Sequence, residues 1–257
     1  MALTLIIFQA AAHRVLVEPR SVAPLSTLRS AACQCGVFLD VGSNIGVHVH
    51  KLYEPAAYNA SPYTNIFASN FDSRCASRND VCSVTFEANA AHSFRQEMLA
   101  RHNQEKGRHA WAIHAAVGPP TGWLTFSDAN TLENEAWGFG RNSQSGPKAD
   151  VYAISLSDFV LRFLRKDQHV LVKMDIEGSE YTVLEDLVKT GAIWYIDSLT
   201  AEFHRDTMSE TTFWLARSLI ENRWKRKLAK YGCAVQFVDD ESDLHDGVPL
   251  EINVKLL

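Results

Sequence analysis

Short apolar runs that close on a charged residue recur along this chain, each followed by a stretch with helical spacing. Val37, Phe38 and Leu39 run into Asp40 and are followed at once by Gly42 and Gly46, the pattern of a buried strand entering a tight turn. A helix over 45–53 follows, with Ile45, Val49, Leu52 and Tyr53 on related faces, until Pro55 stops it. The spacing predicts a second strand over 81–86 ending at Glu87, a helix over 90–104, and a third strand over 111–117 closed by Gly118-Pro119-Pro120. A short extra strand is expected over 122–126, and Ser155 caps a helix over 158–164. Val170–Met174 reads as a strand ending in Asp175, and Glu180–Thr190 as an amphipathic helix stopped by Gly191. A strand over 196–203 ends near Glu202 and His204, Ser209 caps a long helix to Tyr231, and 234–238 with 250–256 form a terminal strand pair. Strands and helices alternating in this way describe an α/β fold with a parallel sheet.

Two stretches break the rhythm. Residues 55–80 are rich in Asn, Ser, Ala, Asp and Tyr and read as a surface insertion rather than core. Residues 127–150 are polar and contain glycine, with Trp137 and Phe139 among them, and read as a substrate-side loop whose aromatic side chains form an apolar wall. Residues 1–35 form an N-terminal extension. Its apolar start, Met1 to Ala12, lacks a basic flank and falls short of the ~20 residues of a membrane span, so no stable span is expected; a signal remnant is the alternative reading. With 46% hydrophobic residues in 257, the chain can fill one core, and 1–257 is read as a single domain without internal repeats.

A net charge of -5 argues against nucleic-acid binding through bulk positive charge. The densest basic run, Arg223, Lys225, Arg226, Lys227 and Lys230, falls at the end of the long helix, where the dipole favours cations, and reads as solvated. The five cysteines fit neither a regular disulfide framework nor a zinc pattern. A Cys75 to Cys82 bridge would suit a secretory setting, as would the Asn59-Ala60-Ser61 sequon, although Pro62 follows it. The sequence is compatible with a cytoplasmic and with a secretory location.

The acids at the strand ends carry the chemistry. In a doubly wound sheet ligands bind outside the carboxyl ends of the strands, so Asp40, Glu87, Asp175 and the Glu202-Phe203-His204 triplet are expected to converge. Gly42, Asn44 and Gly46 make a G-x-N-x-G turn that lets backbone approach a ligand and leaves amides free at a helix start. A carboxylate at Glu87 can accept both ribose hydroxyls of an adenosyl cofactor. Turn and acid together suit S-adenosylmethionine (SAM) or a nicotinamide dinucleotide.

Four segments carry a family resemblance: Phe38-Leu39-Asp40-Val41-Gly42-Ser43-Asn44-Ile45-Gly46, Phe86-Glu87-Ala88-Asn89, Ala115-Ala116-Val117-Gly118 and Val172-Lys173-Met174-Asp175-Ile176-Glu177-Gly178-Ser179-Glu180. With the later Leu199-Thr200-Ala201-Glu202-Phe203-His204, they resemble the FkbM-type methyltransferases in content and in order. The resemblance implies a Rossmann-like class I methyltransferase sheet of seven strands, mostly parallel with a C-terminal antiparallel strand and helices on both faces. It also implies SAM as methyl donor and O-methylation of a hydroxyl on a glycan or small molecule. Asp40, Gly42, Ser43, Asn44 and Gly46 would then surround the methionine part of SAM, Glu87 would hold the ribose, Ala116 would border the adenine, and Asp175 would face the cofactor.

Methyl transfer from a sulfonium is an in-line displacement that needs alignment and removal of the acceptor proton. Asp175 and His204 are the candidates for orienting or deprotonating the acceptor. Glu202, two positions from His204 in a strand, shares its face and can support it; histidine is the commoner base near neutral pH. Each also has a purely structural reading, with Asp175, Glu177 or Glu180 capping the following helix and His204 a satisfied edge residue. Asp175, Glu177, Glu202 and His204 could ligate a hard cation, but no spacing signature supports one, so no obligatory metal is expected. A nicotinamide-dependent oxidoreductase and a non-catalytic SAM-fold binding module are the alternatives.

Overall fold

A computed structural model of the chain describes residues 25–58, 61–127, 148–204 and 210–238. Its strands are β1 (Val37–Val41), β2 (Cys82–Glu87), β3 (Ala110–His114), β4 (Ala116–Val117), β5 (Gly122–Ser127), β6 (Lys148–Ile154), β7 (Val170–Met174), β8 (Ser198–Ala201) and β9 (Ala234–Phe237). The α-helices are α1 (Val47–Tyr53), α2 (Pro62–Phe67), α3 (Ala90–Glu105), α4 (Leu156–Phe163), α5 (Glu180–Thr190) and α6 (Glu210–Ala229).

Six strands form one parallel sheet in the order β3-β2-β1-β7-β8-β9. The central strands β1, β2 and β7 are buried along their whole length, which is why β1 and β7 are runs of Val, Leu, Phe and Met broken by one charged residue each, while β2 alternates Val and Phe with small polar residues. The order reverses beside β1, whose neighbours are β2 and β7, so the crevice at its carboxyl end is the switch point where ligands of such sheets bind.

Two expectations about the sheet change. The six strands described in the main sheet are all parallel, including β9, which pairs with β8 in parallel; residues 250–256, where a terminal strand was expected, lie outside the described residues. The single strand expected over 111–117 divides at Ala115, whose amide turns back to the Ile113 carbonyl at 3.0 Å. β3 stays in the main sheet, while β4 joins β6 and β5 in a second, three-stranded sheet. The apolar run is continuous in sequence, but the two halves face different neighbours.

The insertion is corrected more fully. Residues 61–75 are not a surface excursion: Tyr63, Ile66, Phe67 and Phe71 are buried and pack with Phe38, Val49 and Leu52. Ser61 caps α2 by accepting from the Tyr63 amide, with Pro62 in the first turn, and Phe67 sets its ring edge-on to Phe38 at 5.0 Å. Asn59 and most of the 127–150 loop, with Trp137 and Phe139, lie outside the described residues. Of the basic run, Arg223, Lys225, Arg226 and Lys230 are exposed, and Lys227 stacks over Trp224 at 4.3 Å.

The cysteines also pair differently. Cys33 bonds Cys82 and Cys35 bonds Cys75, because the segment before β1 runs past the start of β2 and the end of the insertion; Cys233 is free and buried. Each bridge closes a loop of 40 or more residues. Paired replacement of Cys33 and Cys82 by serine is expected to cost about 2–4 kcal/mol, read as a lower thermal midpoint that reductant no longer shifts as far. A midpoint equal to that of the wild type would show that the bridge does not hold this end of the sheet.

Candidate functional site

After β1 the chain turns through Gly42, Asn44 and Gly46 at φ 74°, 49° and 85°. These left-handed backbones favour glycine and asparagine, which accounts for the G-x-N-x-G pattern. A Cβ on Gly42 would stand 1.7 Å from the Asp175 carbonyl oxygen, so only glycine lets the turn press against the end of β7. The Gly42 and Ser43 amides donate to the Phe86 carbonyl at 3.1 and 3.0 Å, and the Asn44 amide donates to Glu87 Oε2 at 2.7 Å. Turn and acid are therefore in direct contact.

Glu87 is almost fully buried. Its other oxygen accepts from the Asn89 amide at 2.7 Å, with His92 Nδ1 3.9 Å away. Burial outweighs the two amides and the attraction of Lys173, and with the nearby charge of Asp40 it pushes the carboxyl up to about 7. Asp40 itself is wholly buried, with Oδ2 accepting from Ser43 Oγ at 2.8 Å, so it braces the turn from inside rather than lining a ligand surface.

Two buried polar atoms beside the turn have no hydrogen-bond partner among the described residues, Gln96 Oε1 and Asn89 Nδ2. Gln96 Nε2 is engaged by Ser43 Oγ at 3.0 Å and the Asn44 carbonyl at 2.5 Å, and Oε1 would lie 3.5 Å from a Cβ on Gly46. Buried polar groups are nearly always satisfied. An acceptor and a donor left over next to a carboxylate and a glycine turn fit an adenosyl cofactor with its hydroxyls and amine. Ala116 lies in the second sheet, buried in a cluster that includes Val151, Ala153 and the edge of Ala88, one residue beyond Glu87.

The second half of the site gathers around His204. Its Nδ1 lies 3.1 Å from Glu180 Oε1, and its Nε2 lies 3.7 to 3.8 Å from Asp175, Glu177 and Glu202. Tyr181 fixes the backbone by donating to the His204 carbonyl at 3.1 Å. Burial alone would lower the imidazole, but the Glu180 hydrogen bond and the charges of Glu177, Glu180 and Asp175 prevail and raise it to about 9. Glu177, at φ 55°, is itself raised, chiefly by burial, which the repulsion of Asp175 reinforces and the pull of His204 opposes. Glu180 is fully buried and also accepts from the Ile176 and Gly178 amides at 2.9 and 3.0 Å, so it braces the loop before α5, whose start has no side-chain cap, as well as touching His204. Among the described residues, donor atoms of Asp175, Glu180 and His204 lie within 4.8 Å of one another, close enough to surround a metal ion. The Glu180 oxygens are already taken by those two amides and the imidazole.

The structure thus brings Asp40, Gly42, Ser43, Asn44, Gly46 and Glu87 into one half of the site and Asp175, Glu202 and His204 into the other. Sequence reasoning gave no role to Lys173, which links the halves: its Nζ donates to the Gly42 carbonyl at 2.6 Å and lies 3.4 Å from Asp175 Oδ2. The available signal was a lysine inside the otherwise apolar strand Val170–Met174, since lysine is almost never buried unless paired.

Neither a curated protein nor a solved structure matches the chain. The methyltransferase FkbM domain matches residues 40–221, from the acid of β1 to within α6, a stretch that includes every site residue named above. The chain therefore belongs to the FkbM methyltransferase family.

Proposed function

We propose that this methyltransferase uses SAM and methylates a hydroxyl oxygen on a glycan or small molecule. One observation carries the reading: the Asn44 amide of the glycine turn bonds the Glu87 carboxylate at 2.7 Å, which puts a ribose-binding acid against a nucleoside-binding turn. The reading treats 1–257 as one catalytic domain, with a seventh strand contributed by 250–256. The two disulfides favour an oxidising compartment, where glycan hydroxyls are available acceptors.

SAM, when bound, supplies an electrophilic methyl group on a positively charged sulfur. Glu87 accepts the ribose hydroxyls, the Gly42 to Gly46 turn and Gln96 engage the remaining polar groups, and Ala116 borders the base. Asp175 holds the acceptor hydroxyl and takes its proton as the oxygen attacks. His204 has a different role from the expected general base. With its pKa raised to about 9 the ring already carries both protons at neutral pH, so it acts as a cation that orients Asp175 and offsets the repulsion among Asp175, Glu177 and Glu202.

Thermal-shift titration tests the cofactor, and mass spectrometry with an isotopically labelled methyl donor against glycan, polyketide and phenolic acceptors tests the reaction. Stabilisation by SAM and S-adenosylhomocysteine is expected. Stabilisation by a nicotinamide dinucleotide instead would point to the oxidoreductase reading, and stabilisation by neither would favour a binding module.

A further inference from the structure

Four of the polar residues inside the sheet fall in one row. Strand register pairs Thr85 with Asp40, Asp40 with Lys173, and Lys173 with Thr200. Residues in register on parallel strands point to the same face, so four polar side chains cross β2, β1, β7 and β8 side by side, all of them buried. The row is roofed by α1 and α2. His48 places Nδ1 4.0 Å from Asp40 Oδ1 and its ring 4.1 Å from that of Tyr63, whose hydroxyl donates to Thr200 Oγ1 at 3.2 Å. The insertion thus supplies the lid of a polar layer directly beneath the site.

Lys173 is the member of this row that reaches the site. It is 3% exposed, and its ammonium is shared by the Gly42 carbonyl, Asp175 Oδ2 and, at 3.8 Å, Asp40 Oδ1. Stability does not account for a lysine here, because a buried ion pair can often be replaced by apolar residues without loss of stability, and sometimes with a gain. What an apolar residue cannot do is bond a turn carbonyl and a carboxylate at once.

We propose that Lys173 is the positioning residue of methyl transfer, locking the Gly42 turn and Asp175 into one geometry so that donor methyl and acceptor oxygen meet in line. This rests on the SAM-dependent function proposed above. Reacting groups held in this way tolerate little displacement, so a tether between the two halves of the site has a large effect on what they align.

The test uses the full-length protein, S-adenosylhomocysteine and methyl-¹³C-labelled SAM. Lys173→Met keeps the apolar stem and removes the charge, and Lys173→Gln, the second variant in case the first does not fold, keeps a donor for the Gly42 carbonyl. Both are expected to weaken S-adenosylhomocysteine binding about tenfold in calorimetry and to move the bound methyl resonance toward its free position; the thermal midpoint of the ligand-free protein falls as well, because buried Asp40 is left without its cation, so binding is measured well below the midpoint of each variant. Asp175→Asn is expected to move the same resonance, and the double variant to move it no further than the larger single change. Wild-type affinity and resonance in both lysine variants would overturn the proposal, as would a loss of affinity with the bound resonance still at its wild-type position, or additive shifts in the double variant. Absence of S-adenosylhomocysteine binding by the wild type would instead overturn the functional reading itself.

Discussion

Replacing Glu87 with glutamine is expected to weaken binding of S-adenosylhomocysteine by about 10–100-fold, the range for losing hydrogen bonds to a charged acceptor in a buried site. The glutamine keeps the shape of the side chain but turns one of the two oxygens that accept from the Asn44 and Asn89 amides into a donor, so the loss reports the charge together with that bond. The wild type should also show a pH dependence that the variant lacks. Glu87 is raised to about 7, chiefly by burial, so near neutrality the ligand-free protein holds part of this carboxyl as the acid. Ribose hydroxyls donate best to the ionised form; affinity therefore rises with pH up to about 7 and falls by about tenfold for each unit below it. Because the folded-state value lies above that of the unfolded chain, the stability Glu87 contributes is greatest at low pH and is lost as pH rises through 7. Ligand binding and folding thus pull this proton in opposite directions. Calorimetry between pH 5.5 and 8 reads the effect directly, and an affinity that stays flat across that range in the wild type would remove Glu87 from the cofactor site.

The second large effect concerns His204. His204→Ala is expected to retain S-adenosylhomocysteine binding and to lose methyl transfer by about 10²-fold or more, because Asp175 would be left beside Glu177 and Glu202 with Lys173 holding only its other oxygen. The pH profile separates the two roles this histidine could have. A ring that works as an imidazolium loses activity as pH rises through about 9, whereas a ring that works as a base gains activity over the same interval. Stability follows the same sign: with the folded value above the unfolded one, the contribution of His204, about 2–3 kcal/mol, is complete below pH 6.5 and is lost as pH rises through 9. Unchanged turnover in His204→Ala would exclude the residue from the mechanism.

Much of this architecture could be read along the chain, and what could not has identifiable causes. The strands and helices around Asp40, Glu87 and Asp175 were legible because the buried parallel strands β1 and β7 are mostly apolar and the helix after β7 is stopped by Gly191. The insertion was misread although it carried a signal: Tyr63, Ile66, Phe67, Asn70 and Phe71 repeat at helical spacing behind a Ser61-Pro62 start. Its many polar residues and the neighbouring turns hid that period. The strand expected over 111–117 failed for another reason, because an apolar run does not record that its two halves will join different sheets.

The residue types of the site and their order belong to the sequence by itself: a glycine turn after one strand, an acid after the next, and a K-x-D-x-E-G-x-E segment after a later one. They follow from local rules of backbone conformation and burial that act over a few neighbouring positions. Tertiary structure alone decided that Cys33 pairs with Cys82 and Cys35 with Cys75, that Lys173 spans the turn and Asp175, and that four carboxylates surround His204 and keep its proton on. Each of these depends on groups far apart in the chain becoming neighbours in a medium from which water is largely excluded, where the environment sets the charge state that the sequence leaves free.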